Sequence, residues 1–238
     1  MDIRLLSYNV RSLRDDKAAL ARVIRACAPD VLCVQEAPRF AGWRARAARL
    51  ARATGLMYVT GGATACGPMI LAAALAAVVT TADVTLPLTP GLHRRGLATA
   101  VLRFAGGPRL AVVSCHLSLS ERERHRQGPL VLDRLEALMG TGAHAGVVAG
   151  DINESPGGRT FRLLGRRLTD GWARAPEGEE FTGPAVAPDR RIDAVFCTPG
   201  VTVLGCGVPS GLPGLGPGDL TRATDHLPVL ARLRLQDP

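Results

Sequence analysis

Short apolar runs that end in polar residues alternate along the chain with amphipathic stretches whose apolar positions recur every three or four residues. Ile3-Arg4-Leu5-Leu6-Ser7-Tyr8-Asn9-Val10 predicts a first strand ending near Asn9. Asp15 or Asp16 can cap a helix running to about Cys27, since Leu20, Val23, Ile24 and Cys27 share one face, and Pro29 stops it. Val31 to Glu36 is a second buried strand. The strand, helix, strand order predicts a parallel pair, with Asn9 and Glu36 as neighbours. Trp43 to Ala53 reads as a helix with an arginine face and Leu56 to Thr60 as a short strand. Met69 to Val79 and Val84 to Leu88 are predicted as strands. Arg95 to Phe104 and Arg109 to Cys115 form a strand pair across a Gly106-Gly107-Pro108 turn, the second leading into His116.

In the second half, Ser120 is placed to cap a helix from about Glu121 to Leu138. Val147-Val148-Ala149-Gly150-Asp151-Ile152-Asn153 follows, a buried strand that delivers an acid. If the backbone stays extended, Asp151 and Asn153 share one side, because period two places residues i and i+2 on the same face. Taken alone, the pair reads first as turn formers closing a strand before Ser155-Pro156-Gly157-Gly158. A brief helix is predicted over Thr160 to Leu164, a connector over Leu168 to Trp172 and a loop over 173 to 189. Arg190 to Cys197 restarts a strand with Arg191 and Asp193 on one face. Val201 to Val208 is another strand, Pro209 to Gly218 a loop, and Thr224-Asp225-His226-Leu227-Pro228-Val229-Leu230 leads into the last strand. No linker-like segment divides the chain, which predicts one domain over residues 1–238.

Composition narrows the class. Hydrophobic content of 47% with 21% charged residues over 238 residues is that of a globular protein and excludes disordered or collagen-like chains. The longest apolar run, Met69 to Val79, is too short to cross a bilayer, and Met1-Asp2-Ile3-Arg4 lacks the basic-then-apolar start of a signal peptide, so the expectation is a cytoplasmic protein without stable membrane association. The six cysteines, Cys27, Cys33, Cys66, Cys115, Cys197 and Cys206, show no CxxC spacing and read as reduced core thiols. A net charge of +8 suits a polyanionic partner, nucleic acid above all. Lys17 is the lone lysine, however, and the wealth of Ala, Gly, Pro and Arg fits GC-rich codon usage. Runs such as Arg122, Arg124 and Arg126 then read as solvated helix faces or as contacts to a polyanion alike.

The polar residues at strand ends are the candidate chemistry: Asn9, Glu36, His116, Asp151, Asn153, Asp193, Asp225 and His226. Oxygen donors dominate this set, which suits a hard ion such as Mg²⁺, or Mn²⁺ in its place, better than zinc. Phosphate esters resist attack by anions. Their hydrolysis asks for a metal to neutralise charge, a base to align water and donors for the developing oxyanion, and the set offers a candidate for each.

Six motifs in order carry a resemblance: Ser7-Tyr8-Asn9, Gln35-Glu36, His116-Leu117, Gly150-Asp151-x-Asn153, Arg191-Ile192-Asp193 and Thr224-Asp225-His226-x-Pro228-Val229. Together they resemble the endonuclease/exonuclease/phosphatase superfamily, which includes deoxyribonuclease-I-like and exonuclease-III-like enzymes. The resemblance implies a four-layer α/β sandwich, two stacked mixed β-sheets flanked by helices, with the site at one end. It implies Glu36 as principal Mg²⁺ ligand with Asn9 and Asp225 near it, and Asp151 orienting or deprotonating the attacking water. Asn153 would hold water or a phosphoryl oxygen. His226, oriented by Asp193, would contact the scissile phosphate, and His116 would face the same phosphate from the other half. Arg95, in His93-Arg94-Arg95, matches a strand start where an arginine can reach substrate phosphate. Two departures stand out. The segment Met69 to Val79 has no acid to partner His116, and Ala37-Pro38 follow Glu36 where deoxyribonuclease-I-like members have valine and arginine.

The expected activity is hydrolysis of nucleic-acid phosphodiesters by a metal-dependent phosphoesterase. The alternatives are a small-molecule phosphatase or phosphodiesterase of the same fold, acting on a phosphosugar, nucleotide or lipid head group, and a non-catalytic nucleic-acid-binding module. Cleavage polarity, metal count and oligomeric state are open at this level.

Overall fold

A computed structural model describes residues 1–104 and 107–236, so the tip of the turn expected at Gly106 lies outside the described residues. In chain order the elements are β1 (Asp2–Asn9), α1 (Lys17–Cys27), β2 (Val31–Gln35), α2 (Trp43–Thr54), β3 (Met57–Gly61), β4 (Met69–Ala72), β5 (Ala76–Thr85), β6 (Gly96–Phe104) and β7 (Arg109–His116). They continue with α3 (Glu121–Met139), β8 (Ala145–Asp151), α4 (Arg159–Gly165), β9 (Thr169–Asp170), α5 (Gly171–Arg174), β10 (Asp193–Cys197), β11 (Val201–Gly207), α6 (Asp219–Ala223) and β12 (Val229–Leu235).

Two six-stranded mixed sheets result, ordered β11-β12-β1-β2-β4-β3 and β5-β6-β7-β8-β10-β9. Three apolar layers hold them. Leu5, Val31 and Ile70 of the first sheet meet Ala100, Val112, Val147 and Val195 of the second in the central layer. The outer face of the first sheet, with Leu6, Tyr8 and Leu32, is covered by Leu20, Ile24 and Leu50 of α1 and α2. The outer face of the second, with Val113, Val148 and Phe196, is covered by Val131, Leu135 and Phe161 of α3 and α4. Strands buried on both faces read as continuous apolar runs, and their polar residues are therefore confined to the ends. The chain is thus the four-layer sandwich that the motifs imply.

Asp16 caps α1 by accepting from Ala18 N and Ala19 N, and β1 runs parallel to β2 as the local pattern predicts. Several expectations need correction. Met69 to Val79 is not one strand. It breaks after Ala72 into β4 and β5, which belong to different sheets; β5 runs on through Val84 and Thr85, and Leu86 to Leu88 of the expected next strand are not strand. The break carries no Gly or Pro because a run of alanines permits turn and strand alike. Ser120 stands before α3 but makes no side-chain capping bond. Arg124, in a run that reads as a solvated helix face or a polyanion contact, is instead buried. Arg191 precedes β10 and forms a bidentate pair with Asp170 at 3.0 and 2.9 Å, stacked on the Phe161 ring, so it ties β9 to the sheet. The short helix α6 lies beyond the Gly/Pro-rich loop. Among the described residues no helix is long and apolar enough to cross a membrane, and all six cysteines are free.

Candidate active site

Strand register assembles the acids. β7 lies parallel to β8 with His116 opposite Asp151, and β10 lies antiparallel to β8 with Asp193 opposite the same Asp151. Three polar strand ends therefore stand in one row, facing the end of β1 across the interior of the sandwich. Gly150 is needed here: a Cβ on it would stand 2.0 Å from the Cys115 carbonyl oxygen, so only glycine lets β8 approach β7 beside His116.

Asp151 is the hub. Its Oδ2 accepts from Asn9 Nδ2 at 3.1 Å and lies 3.3 Å from His116 Nε2 and 3.9 Å from His226 Nε2, while its Oδ1 accepts from Asn153 N at 2.9 Å. Burial, and next the Asp193 carboxylate, hold the Asp151 carboxyl far above the usual carboxylate range. Among the described residues no lysine or arginine lies within ion-pair distance of it. His226 behaves oppositely. Burial disfavours its charge, but the Asp193 carboxylate, 2.9 Å from Nδ1, and Asp151 lift its pKa to about 10, so it is a cation at neutral pH. Burial, then Arg95 and His226, push His116 well below the usual histidine value and keep it neutral.

The Asp151–Asn153 pair reaches the site by a different geometry from simple alternation. The strand ends at Asp151, Ile152 N is held by Ile192 O, and Asn153 turns into the left-handed region with φ 56°. Its Nδ2 donates to Leu117 O at 2.9 Å, tying β8 to the His116 loop. Glu36 likewise does not extend β2. It sits at φ 53°, its carbonyl accepting from Ser12 N, and its Oε1 lies 3.4 Å from Asn9 Nδ2. A non-glycine residue held in that region is strained by about 1–3 kcal/mol and persists where its surroundings over-determine it.

Asn9, Glu36, His116, Asp151, Asn153, Asp193 and His226 are thus brought to one end of the sandwich. Asp225 is turned aside. The chain bends at Asp225 and His226, and while His226 lines the cavity the exposed Asp225 carboxylate lies 3.2 Å from Arg11 Nε. Arg95 does line the site's cavity, and its Nε is buried without a hydrogen-bond partner. The sequence reading missed Arg14, Arg39 and Phe40, which also line the cavity; they sit on loops, where no periodicity marks them.

The donors fit a divalent cation. Asp193 Oδ1 is buried without a partner, and Asn9 draws Glu36 and Asp151 together, an oxygen-rich set of the kind hard ions prefer. Ligand atoms of Asp151, Asp193 and His226 also lie within 4.8 Å of one another, although His226 Nδ1 is committed to Asp193.

Two stacked sheets whose strand ends present buried carboxylates and a charged histidine to a cavity edged by arginines define a hydrolase of phosphate esters. Residues 6–226 match the Endonuclease/Exonuclease/phosphatase family, and the chain belongs to that family. The family is metal-dependent. Among solved structures, an endonuclease/exonuclease/phosphatase from Bacteroides vulgatus is similar at 19% identity and TM-score 0.81, with 99% of this chain and 100% of that one covered. The mannosyl-6-phosphatase Bt3783 of Bacteroides thetaiotaomicron is similar at 17% identity and TM-score 0.78, with coverage of 98% and 100%. ANGEL2, a 2′,3′-cyclic phosphatase solved with adenosine-2′,3′-vanadate, is similar at 17% identity and TM-score 0.72, with coverage of 99% and 96%. No curated protein matches the chain in sequence.

Proposed function

We propose that this phosphoesterase is a Mg²⁺-dependent phosphodiesterase that hydrolyses nucleic-acid phosphodiester bonds, with Mn²⁺ able to replace Mg²⁺. The observation that carries the reading is the surplus of cationic groups around the cavity. Beyond His226 and Arg95, which suffice for one phosphoryl group, Arg14 and Arg39 line the same space, an arrangement suited to a chain of phosphates. The net charge of +8 points the same way.

In this mechanism Glu36 is the principal donor to the metal, with Asn9 beside it; Asp225 would join only by giving up Arg11. When bound, the ion neutralises phosphate charge. Asp151 aligns the attacking water and takes its proton at Oδ2, a role helped by a carboxyl whose proton affinity burial has raised. The His226 cation, fixed through Nδ1 by Asp193, donates from Nε2 to a phosphoryl oxygen as negative charge builds there. Arg95 supplies a second positive donor. Asn153 holds the water or a phosphoryl oxygen. His116, neutral and close to Asp151 Oδ2, keeps that carboxylate in place from the other side.

Purified protein should cleave single-stranded oligonucleotides with Mg²⁺ and stop with EDTA. If oligonucleotides survive while a phosphosugar is hydrolysed, the nucleic-acid reading falls and the small-ester alternative stands, as the similarity to a mannosyl-6-phosphatase would suggest.

A further inference from the structure

Two large apolar side chains at the site stand in water. Phe40 is 76% exposed and Leu119 is 73% exposed. Single exposed hydrophobics are ordinary on protein surfaces. These two are singled out by position: both line the catalytic cavity, Phe40 from the loop after β2 in the first sheet, Leu119 from the loop after β7 in the second. The cavity measures about 380 Å³, and the phosphoryl group held by His226 and Arg95 fills a small part of it.

The backbone that carries Phe40 is pinned. Ala37 N donates to Gly67 O at 2.9 Å, Trp43 N donates to Phe40 O at 3.0 Å, and Arg39 Nη1 holds Cys66 O at 3.1 Å. An aromatic ring held open to solvent on a fixed loop is a preorganised platform, since the entropy of ordering it is lost on folding and not on binding. Leu119 is held in a comparable way, its carbonyl and that of Ser118 accepting from the buried Arg124.

We propose that Phe40, with Leu119, forms a stacking subsite for a nucleobase attached to the scissile phosphate; the proposal rests on the nuclease reading above. The neighbouring chemistry selects the ring. Arg14 and Arg39 line the same cavity, guanidiniums suited to phosphates and to stacking on bases. A lipid tail asks for a continuous apolar surface, and here two apolar groups stand among cations.

The test compares an oligothymidylate with the same strand carrying abasic sugars, both with Mg²⁺. The intact protein should favour the base-bearing strand by about tenfold in kcat/KM, most of it in KM, as one stacked base provides. Phe40→Ala should collapse that preference, Phe40→Trp should restore it, and Leu119→Ala should reduce it in part. Loss of Phe40 packing does not endanger folding, because the side chain is mostly in solvent. If the protein cuts both strands with equal efficiency, or if Phe40→Ala keeps the full preference, the subsite is wrong and the nuclease reading survives. If neither strand is cut while a phosphosugar is, the nuclease reading fails and the subsite falls with it.

Discussion

The two sheets bring their strand ends to one cavity but hold them very differently. On the second sheet, His116, Asp151 and Asp193 stand in register on adjacent strands, all buried, and a second set of buried polar groups braces them. Arg124 of α3 pairs with Glu154 at 3.1 Å and also donates to Ser118 O. Gln127 Oε1 accepts from Ser118 N, and Thr182 Oγ1 accepts from Asp193 N. On the first sheet, Glu36 follows the strand in a left-handed turn, half-buried, with one long hydrogen bond to Asn9. Beyond it the chain leaves regular structure for the loop of Arg39 and Phe40. The second sheet fixes the proposed proton chemistry in place. The first presents the proposed metal donor and substrate contacts on a loop, where substitutions would alter what is bound without unsettling the acid proposed to handle water.

The sharpest way to break this comparison is Asp151→Asn. If the second sheet holds the water-handling carboxylate, kcat should fall about 10²–10⁴-fold, added Mg²⁺ should not restore it, and the folded state should remain. The midpoint of thermal unfolding should hold or rise, because the substitution relieves a buried acid placed opposite Asp193. Activity within tenfold of the parent would show that another group handles the water.

Arg124 tests the brace. Removing one partner of a buried pair leaves an uncompensated charge, so Arg124→Ala should cost about 3–5 kcal/mol in denaturant unfolding. The double replacement Arg124→Met with Glu154→Leu should recover most of the stability yet lose about tenfold in kcat, since Ser118 O and Leu119 O lose their donor as well. Full activity in the double variant would mean that α3 serves packing alone.

These residues also show where sequence is legible and where it is not. The row of His116, Asp151 and Asp193 is readable because buried strands have no place for polar groups except their ends, so a polar residue after an apolar run marks the rim. Asp225 and His226 mislead as a pair, since the sequence places both at the rim and a bend in the chain leaves one of them paired with Arg11 outside the cavity. Arg124 could have been found: stepping back from Val131 and Gln127 by helical spacing lands on it, on the inner face, whereas counting arginines puts it in solvent. Phe40, Arg39 and Leu119 could not. Loop residues carry no period, and their convergence depends on how two sheets meet. The alanine run after Met69 hides a sheet change for a related reason, as nothing in it prefers turn over strand.

On the first sheet, Glu36→Gln should show itself in the metal requirement and not in the chemistry. The Mg²⁺ needed for half-maximal rate should rise at least about tenfold while the rate at saturating Mg²⁺ stays closer to the parent than that of Asp151→Asn. An unchanged metal requirement would remove Glu36 from the role proposed for it and leave the two sheets less distinct.

The smallest effect concerns what supports the His226 side of the rim. Asp219, at the start of α6, accepts from Arg22 at 3.1 and 2.8 Å and from Arg222 at 2.7 Å, and these bonds, Arg22 first, hold its carboxyl well below the usual 3.8. A carboxyl depressed in the folded state stabilises above its unfolded value, and that contribution disappears as pH falls through the folded value. Asp219→Asn should therefore lower the thermal midpoint at neutral pH by a few degrees, with a gap to the parent that holds steady on acidification and closes only below about 3.8. The segment from α6 leads through Thr224 and Asp225 directly to His226, yet His226 is fixed on its other side by Asp193. If the second sheet dominates the geometry, the variant should turn over at the parent rate at neutral pH despite its lower midpoint. A loss of kcat in step with stability would show instead that His226 is positioned from the first sheet, through α6.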